Sequence, residues 1–461
     1  MSRTLDLAVV GAGASGLACA CFARAAGLEV ALLEAAPRPG GRIHTVEEDG
    51  FRRERGPLGW LDREPALTRL VELLGGGACP ASEAARDRFL LHRGRLVPLP
   101  RGPLSALRSP LVGPGGLLRL LGEPLRRRGP AGRGEEESAA SFFHRRLGED
   151  LTATLVDALV SGILAGDPER LSLPAAFPRF AAWEAEHGSL LRGGLAEARR
   201  RRRARRGPGP HPSGRLLSYP EGTRGLADRA AAWLGEAWRP GTAVDALAAD
   251  GGDRVLLAGG REAARARRVV LAVPAPEAGR LLGGLLPDFA PQAEALPWIG
   301  IAALHLALPR EAARCLPAGY GFLAPRREGF RPLGVQFVHD LFPASVPRGL
   351  VQLRVLLGGA RDPEVLDLPD TRLLEETWTA LEPLLGLSGE PVWWKVDRLR
   401  RALPHYETGH RSRAAALEAA ASGLGVLLAG DSWYGTGLGA TVGRGASLAA
   451  KVAAPPRSPA P

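Results

Sequence analysis

Residues 5–34 read LDLAVVGAGASGLACACFARAAGLEVALLE, and this stretch decides the fold. Leu5–Val10 is an apolar run of strand length, followed at once by Gly11-Ala12-Gly13-Ala14-Ser15-Gly16. An alanine-rich helix is predicted from about Ser15 to Ala26, where Gly27 stops it, and a second strand over Glu29–Glu34. Each part of the pattern has a physical reason. Gly11 permits the tight turn, Gly13 lets backbone approach a diphosphate, and Gly16 allows the helix to pack closely on the strand. The helix N-terminus presents free N–H groups and a positive dipole end to an anion. Glu34 closes the second strand, placed to accept hydrogen bonds from ribose hydroxyls. A lone GxGxxG carries little weight, but strand, turn, helix, second strand and terminal acid in this order read as a dinucleotide-binding βαβ unit.

A chain of 461 residues suits two or three packed domains, and an apolar fraction of 45% can fill their cores. The net charge is +11, and Lys395 and Lys451 are the only lysines among 60 basic residues. That bias follows from a GC-rich codon supply, and no function is read into it. The charge favours anionic partners. Its sharpest cluster is Arg199–Arg206, broken only by Ala204 and followed by Gly207-Pro208-Gly209-Pro210, which reads as a solvated insertion beside a loop. No nucleic-acid-binding motif accompanies it, so nucleic acid is not expected as a partner. Cys19, Cys21, Cys79 and Cys315 have no metal-ligand spacing and read as small core residues in a reducing compartment, with no metal expected. With no signal-peptide layout and no apolar run of about 18 residues, the expected location is the cytoplasm.

The continuation Glu34-Ala-Ala-Pro-Arg-Pro-Gly-Gly-Arg42, then Thr45, Gly50-Phe51 and Gly56-Pro57, resembles the extended fingerprint of the amine oxidase, phytoene desaturase and protoporphyrinogen oxidase superfamily. The resemblance implies FAD. It implies that Gly40 and Gly41 pass close to the diphosphate, that Arg42 neutralises it, and that the Gly56-Pro57-Leu58-Gly59 turn lies beside the isoalloxazine. Gly425–Asp431 reads as a buried strand, and Tyr434-Gly-Thr-Gly-Leu-Gly439 leads into a small-residue helix over about 442–452. By the same resemblance Gly430 and Asp431 contact the ribityl and phosphate region, and Thr436, Gly437 and Leu438 bring a helix N-terminus to the flavin pyrimidine edge. Arg239–Leu247 reads as a strand, and by the same resemblance its Val244 backbone would meet the adenine.

Other segments are similar to protoporphyrinogen oxidase in particular: Ala85–Leu96, Ser161–Ser172, Gly319–Pro325, Leu356–Ala360 and Ala402–His410. The family oxidises a flat, largely apolar macrocycle bearing propionates, with O2 as acceptor. By matched position Arg88 would pair with a propionate, Tyr320 and Leu323 would pack on the rings, Leu356 would line the pocket and Gly162 would give backbone access. The flavin takes hydride, so no protein acid or base is required and no catalytic side chain is assigned. Leu58, Tyr320, Leu399, Trp433, Tyr434 and Thr441 depart from the family pattern. The rival readings are a coproporphyrinogen III oxidase, a flavin amine oxidase with Trp433 and Tyr434 as an aromatic cage, and a non-catalytic porphyrin carrier.

The expected fold class is α/β: a Rossmann-like FAD-binding domain of the glutathione-reductase type, an α+β substrate domain and a helical insertion. Residues 1–88, 213–289 and 400–454 are assigned to the FAD domain. Residues 89–212 are assigned to a helical part that could dock on the inner face of the cell membrane, and 290–399 to a substrate domain with an antiparallel sheet. Residues 455–461 are assigned to a disordered tail, and a homodimer is left open.

Overall fold

The strand Leu5–Val10 lies inside a seven-stranded sheet, buried on both faces. Successive side chains point to opposite faces of a strand. Leu7 and Val9 join Leu17, Cys21, Leu67 and Leu448 on one side, while Ala8 and Val10 join Leu256, Leu281, Leu417 and Trp433 on the other. The computed structural model describes residues 3–102, 105–106, 108–129, 136–204 and 214–454. The expected tail at 455–461 lies outside the described residues, as do Arg205 and Arg206.

The parallel strands run Trp238–Arg239, Val30–Leu33, Leu5–Val10 and Arg261–Leu271. Arg261–Leu271 serves two purposes. Its last residues pair in parallel with Val426–Leu428, and its earlier part carries the antiparallel hairpin Ala246–Asp250 and Asp253–Ala258. Sheet strands and covering helices thus come from three parts of the chain. The helix after the glycine turn spans Ala14–Ala25, one residue earlier than predicted. The strand expected over 239–247 is instead two strands separated by a loop, because Pro240 cannot donate to a ladder and Gly241 turns with φ of +66°. The final helix begins at Leu438, four residues earlier than expected, with Gly437 as its N-cap. Its glycines are packing positions: a Cβ on Gly445 would lie 2.3 Å from the Ser15 carbonyl oxygen.

A second seven-stranded sheet runs Trp393–Pro404, Trp298–Pro309, Leu350–Gly358, Gly334–Phe337, Gly321–Leu323, Arg88–His92 and Arg95–Pro98. The hairpin Arg88–Pro98 therefore belongs to this sheet, through parallel pairing of Arg88 with Gly321. That corrects the boundary at 88/89, which cuts through the hairpin; the contact spans more than 200 residues and leaves no local signal.

The helices between 139 and 204 pack around Phe142, Phe143, Val160 and Leu171. Beside them Arg146, fully buried, contacts Glu184 and lies 3.1 Å from the fully buried Glu123. Glu123 also accepts N–H bonds from Leu190 and Leu191 at the start of the helix Leu190–Ala204. Arg199–Arg203 form part of the C-terminal end of this helix, and the residues expected to form the adjoining loop lie outside the described residues. Cys19 and Cys21 are buried as expected, whereas Cys79 and Cys315 are exposed.

Candidate active site

Between the two sheets lies a cavity of about 720 Å³. Its first half is built by the parallel sheet. Gly11, Gly13, Ala14, Ser15 and Glu34 line it, with the loop Thr242–Val244 and with Gly430, Asp431, Gly437 and Leu438. Two helices open onto it, Ala14–Ala25 and Leu438–Ala453. Each has a glycine N-cap, no side-chain cap and no acid in its first turn, so their free N–H groups and dipoles favour an anion there.

The glycines divide by what a side chain would meet. A Cβ on Gly11 (φ +97°) would lie 2.7 Å from the Ala272 carbonyl oxygen, and one on Gly16 would lie 1.9 Å from the Gly11 carbonyl oxygen. A Cβ on Gly13 or Gly437 would meet no protein atom within 4 Å, although both residues line the cavity. This is a cradle that side chains would fill, and it fits a bound diphosphate. Gly40 and Gly41 run alongside: Gly40 N–H donates to the Ala12 carbonyl at 2.8 Å, and Gly41 lies against Gly13. Glu34 accepts from the Ala12 N–H at 2.7 Å and the Ala36 N–H at 2.9 Å. A carboxylate has about four acceptor positions, so room remains for ribose hydroxyls. Arg42 and Asp431, both assigned to the cofactor, bind each other through two contacts of 2.7 and 2.8 Å. Ala12, Gly16 and Thr436 support the loops without lining the cavity.

The second half is floored by the antiparallel sheet. Ile301 and Ala303, Arg354 and Leu356, and Asp397 and Leu399 are pairs two residues apart on their strands, so all six side chains share one face. Gln336 lies across from Arg354 in register. Tyr320, Gly162, Ile163, Leu58 and Pro57 complete the walls, with Gly56 and Gly59 at the junction of the halves. Leu58 packs in an apolar cluster with Leu216 and Leu341, which accounts for an apolar residue there. Leu323 sits behind Gly162, where a Cβ would come within 2.3 Å of it. Arg88 does not itself line the cavity; it is exposed at the rim, its guanidinium stacked 4.7 Å from the ring of Tyr320, which does line it. Trp433 is instead buried against Phe289, and Tyr434 bonds Glu418; neither lines the cavity, so no aromatic cage forms from them.

Sequence reasoning missed Arg354, Gln336, Asp397 and Arg55. Period-two reading from Leu356 and Leu399 would have reached Arg354 and Asp397. Asp397 contacts Arg53, lies 2.9 Å from Arg55 and 3.5 Å from His305. Burial pushes the His305 imidazole down to about 4, so it is neutral at neutral pH. Burial alone would raise the Asp397 carboxyl, but its His305 and Arg53 contacts outweigh that and hold it below the usual carboxylate range. With His305 neutral, the Asp397 charge is met by Arg53 and Arg55, and Arg53 also lies 3.4 Å from Glu48. Among the described residues no cluster of His, Cys, Asp or Glu could hold a metal ion.

A glycine cradle that fits a diphosphate, opening into a largely apolar chamber, is the arrangement of a dinucleotide-dependent oxidoreductase, and the family match makes that dinucleotide a flavin. The chain belongs to the flavin containing amine oxidoreductase family, whose model matches residues 14–453. It is 29% identical to the coproporphyrinogen III oxidase of Bacillus subtilis (strain 168), covering 93% of this chain and 94% of that one. It is 30% identical to the chloroplastic protoporphyrinogen oxidase of Nicotiana tabacum, covering 97% and 85%. A crystal structure from Exiguobacterium sp. 255-15, carrying the provisional name protoporphyrinogen oxidase, superposes with a TM-score of 0.79 at 27% identity, over 98% of this chain and 99% of that one.

Proposed function

We propose that this protein oxidises a porphyrinogen to the porphyrin in haem formation, passing electrons to O2. The observation that carries the reading is the convergence of Gly162, Tyr320 and Leu356, from three separate segments, on one apolar chamber with Arg88 stacked on Tyr320 at its rim. Aliphatic walls suit the flat macrocycle, and a guanidinium at the rim suits its propionates. FAD supplies the hydride acceptor when bound. The chain's own residues position the ring, exclude water and neutralise carboxylates. Six electrons leave the porphyrinogen in three rounds, reducing three O2 to three H2O2. Protoporphyrinogen IX and coproporphyrinogen III both suit the apolar floor, and they differ in carrying two or four propionates.

A membrane surface would suit the less soluble of the two, the dipropionate protoporphyrinogen IX. No helix among the described residues is long and apolar enough to cross a bilayer. Leu118, Leu121, Leu125 and Leu195 are more than half exposed on the helical part, and Arg199, Arg200, Arg202 and Arg203 are exposed on the helix that carries Leu195. These leucines and arginines support peripheral docking on an anionic cytoplasmic leaflet. Ile163, also exposed, lines the cavity nearby.

The test is fluorescence formation from each porphyrinogen in air by the FAD-loaded protein against an enzyme-free control. Oxidation above control supports the proposal. Rates equal to control with both substrates overturn it.

A further inference from the structure

Four arginines line the cavity: Arg42, Arg55, Arg280 and Arg354. Arg42 is bound by Asp431 and Arg55 by Asp397. Arg280 donates to the carbonyls of Val244 and Asp245, in the cofactor half. Arg354 differs from all three. It rises from the floor of the substrate half, only 6% exposed, and no carboxylate lies within ion-pair distance of it among the described residues. One terminal nitrogen donates to the Gln336 side-chain oxygen at 3.2 Å and the other to the Gly56 carbonyl at 2.7 Å, while Nε has no partner. Burial holds its pKa below the ordinary guanidinium value, with Glu54 and Asp397 opposing that shift from beyond contact range. A buried cation without a contacting anion is costly, and a carboxylate brought by a ligand would relieve the cost.

Arg88 stacks on Tyr320 at the rim, and Arg354 lies on the floor among the residues facing the chamber. The substrate half therefore offers one cation outside and one inside. A macrocycle with carboxylates on one side only leaves the inner cation unmatched. One with carboxylates on both sides meets both.

We infer that Arg354, oriented by Gln336 and the Gly56 carbonyl, is an inner carboxylate-binding residue that makes the site prefer coproporphyrinogen III over protoporphyrinogen IX. This rests on the porphyrinogen reading above. Arg354 acts on specificity and has no part in hydride transfer.

The experiment compares kcat/KM for the two porphyrinogens in the FAD-loaded wild type, Arg354→Met, Arg354→Lys and Gln336→Glu, with flavin content and melting temperature measured for each. The wild type is expected to favour coproporphyrinogen. The ratio of the two kcat/KM values should fall at least tenfold in Arg354→Met, mainly through KM, and recover in part in Arg354→Lys. Gln336→Glu pairs the arginine internally, so it should lower the ratio while folding normally; it decides the matter if Arg354→Met loses its flavin. Coproporphyrin III titrated into the same proteins should bind more weakly by a similar factor, with protoporphyrin IX affected less. A wild type that favours protoporphyrinogen, a ratio within twofold of wild type in the variants, or equal losses for both substrates would each overturn the inference. If the wild type oxidises neither porphyrinogen, the proposed function falls and this inference with it.

Discussion

Gly13 and Gly16 are three residues apart in one turn, yet the structure gives them separable roles, and the pair Gly13→Ala and Gly16→Ala tests that. Gly13 has φ of −69°, a conformation alanine adopts freely, and its added Cβ would meet no protein atom within 4 Å. Alanine at an N-cap is slightly unfavourable, while loss of glycine's unfolded-state freedom is slightly favourable, so apoprotein stability should change by no more than about 1 kcal/mol. The new methyl occupies the space through which backbone approaches the diphosphate. Losing two charge-assisted hydrogen bonds at about 1.5–3 kcal/mol each weakens FAD binding by roughly 10²- to 10⁴-fold. Gly16→Ala does the reverse. Its Cβ would sit 1.9 Å from the Gly11 carbonyl oxygen and 3.0 Å from the Ala272 Cβ, so helix and strand must separate. Overpacking of this kind costs about 3 kcal/mol and lowers the melting temperature of the apoprotein by several degrees. Apoprotein melting followed by FAD titration, read by quenching of flavin fluorescence, separates the two effects. A Gly13→Ala apoprotein as destabilised as Gly16→Ala, or one that keeps wild-type FAD affinity, refutes the assignment of the cradle.

Arg88→Ala removes the rim cation and should lower porphyrinogen kcat/KM by about 10- to 100-fold while flavin content stays at wild-type level, since one charge-assisted contact is worth about 1.5–3 kcal/mol. Arg146→Met leaves Glu123, fully buried, without its cation and should destabilise the helical part by about 3–5 kcal/mol, read as a lower urea midpoint. His305 is buried and its folded pKa of about 4 lies below its ordinary 6.5, so the unfolded chain binds the proton between those values. Its contribution is complete above the ordinary value and is lost as the pH falls towards 4, up to about 3 kcal/mol, seen by comparing denaturant midpoints at pH 7 and pH 5.

The cofactor half of the molecule was legible because its determinants are local. The turn from Gly11 to Gly16 must satisfy its own sterics within six residues, and the buried strand before it needs an unbroken apolar run, so the chemistry is written consecutively. The Gly430-Asp431 end and the Gly56-Pro57 turn were legible by resemblance to a pattern of the same kind. Boundaries slipped where small residues served packing instead of turning, as at Gly439 and Gly443 in the first turns of the final helix, both set against Glu64.

Tertiary structure alone decided the rest. Arg42 and Asp431 meet across 389 residues, and nothing in either neighbourhood announces that they neutralise each other. The hairpin Arg88–Pro98 joins a sheet whose other strands lie beyond residue 297, because without it Gly321–Leu323 would be left as an edge with unpaired backbone groups. The floor of the chamber is a property of register: Gln336, Arg354 and Asp397 share a face only once their strands are aligned, and a slip of one residue would turn each away. By itself the sequence determined that a dinucleotide is held, and the fold determined which charges face what lies beside it.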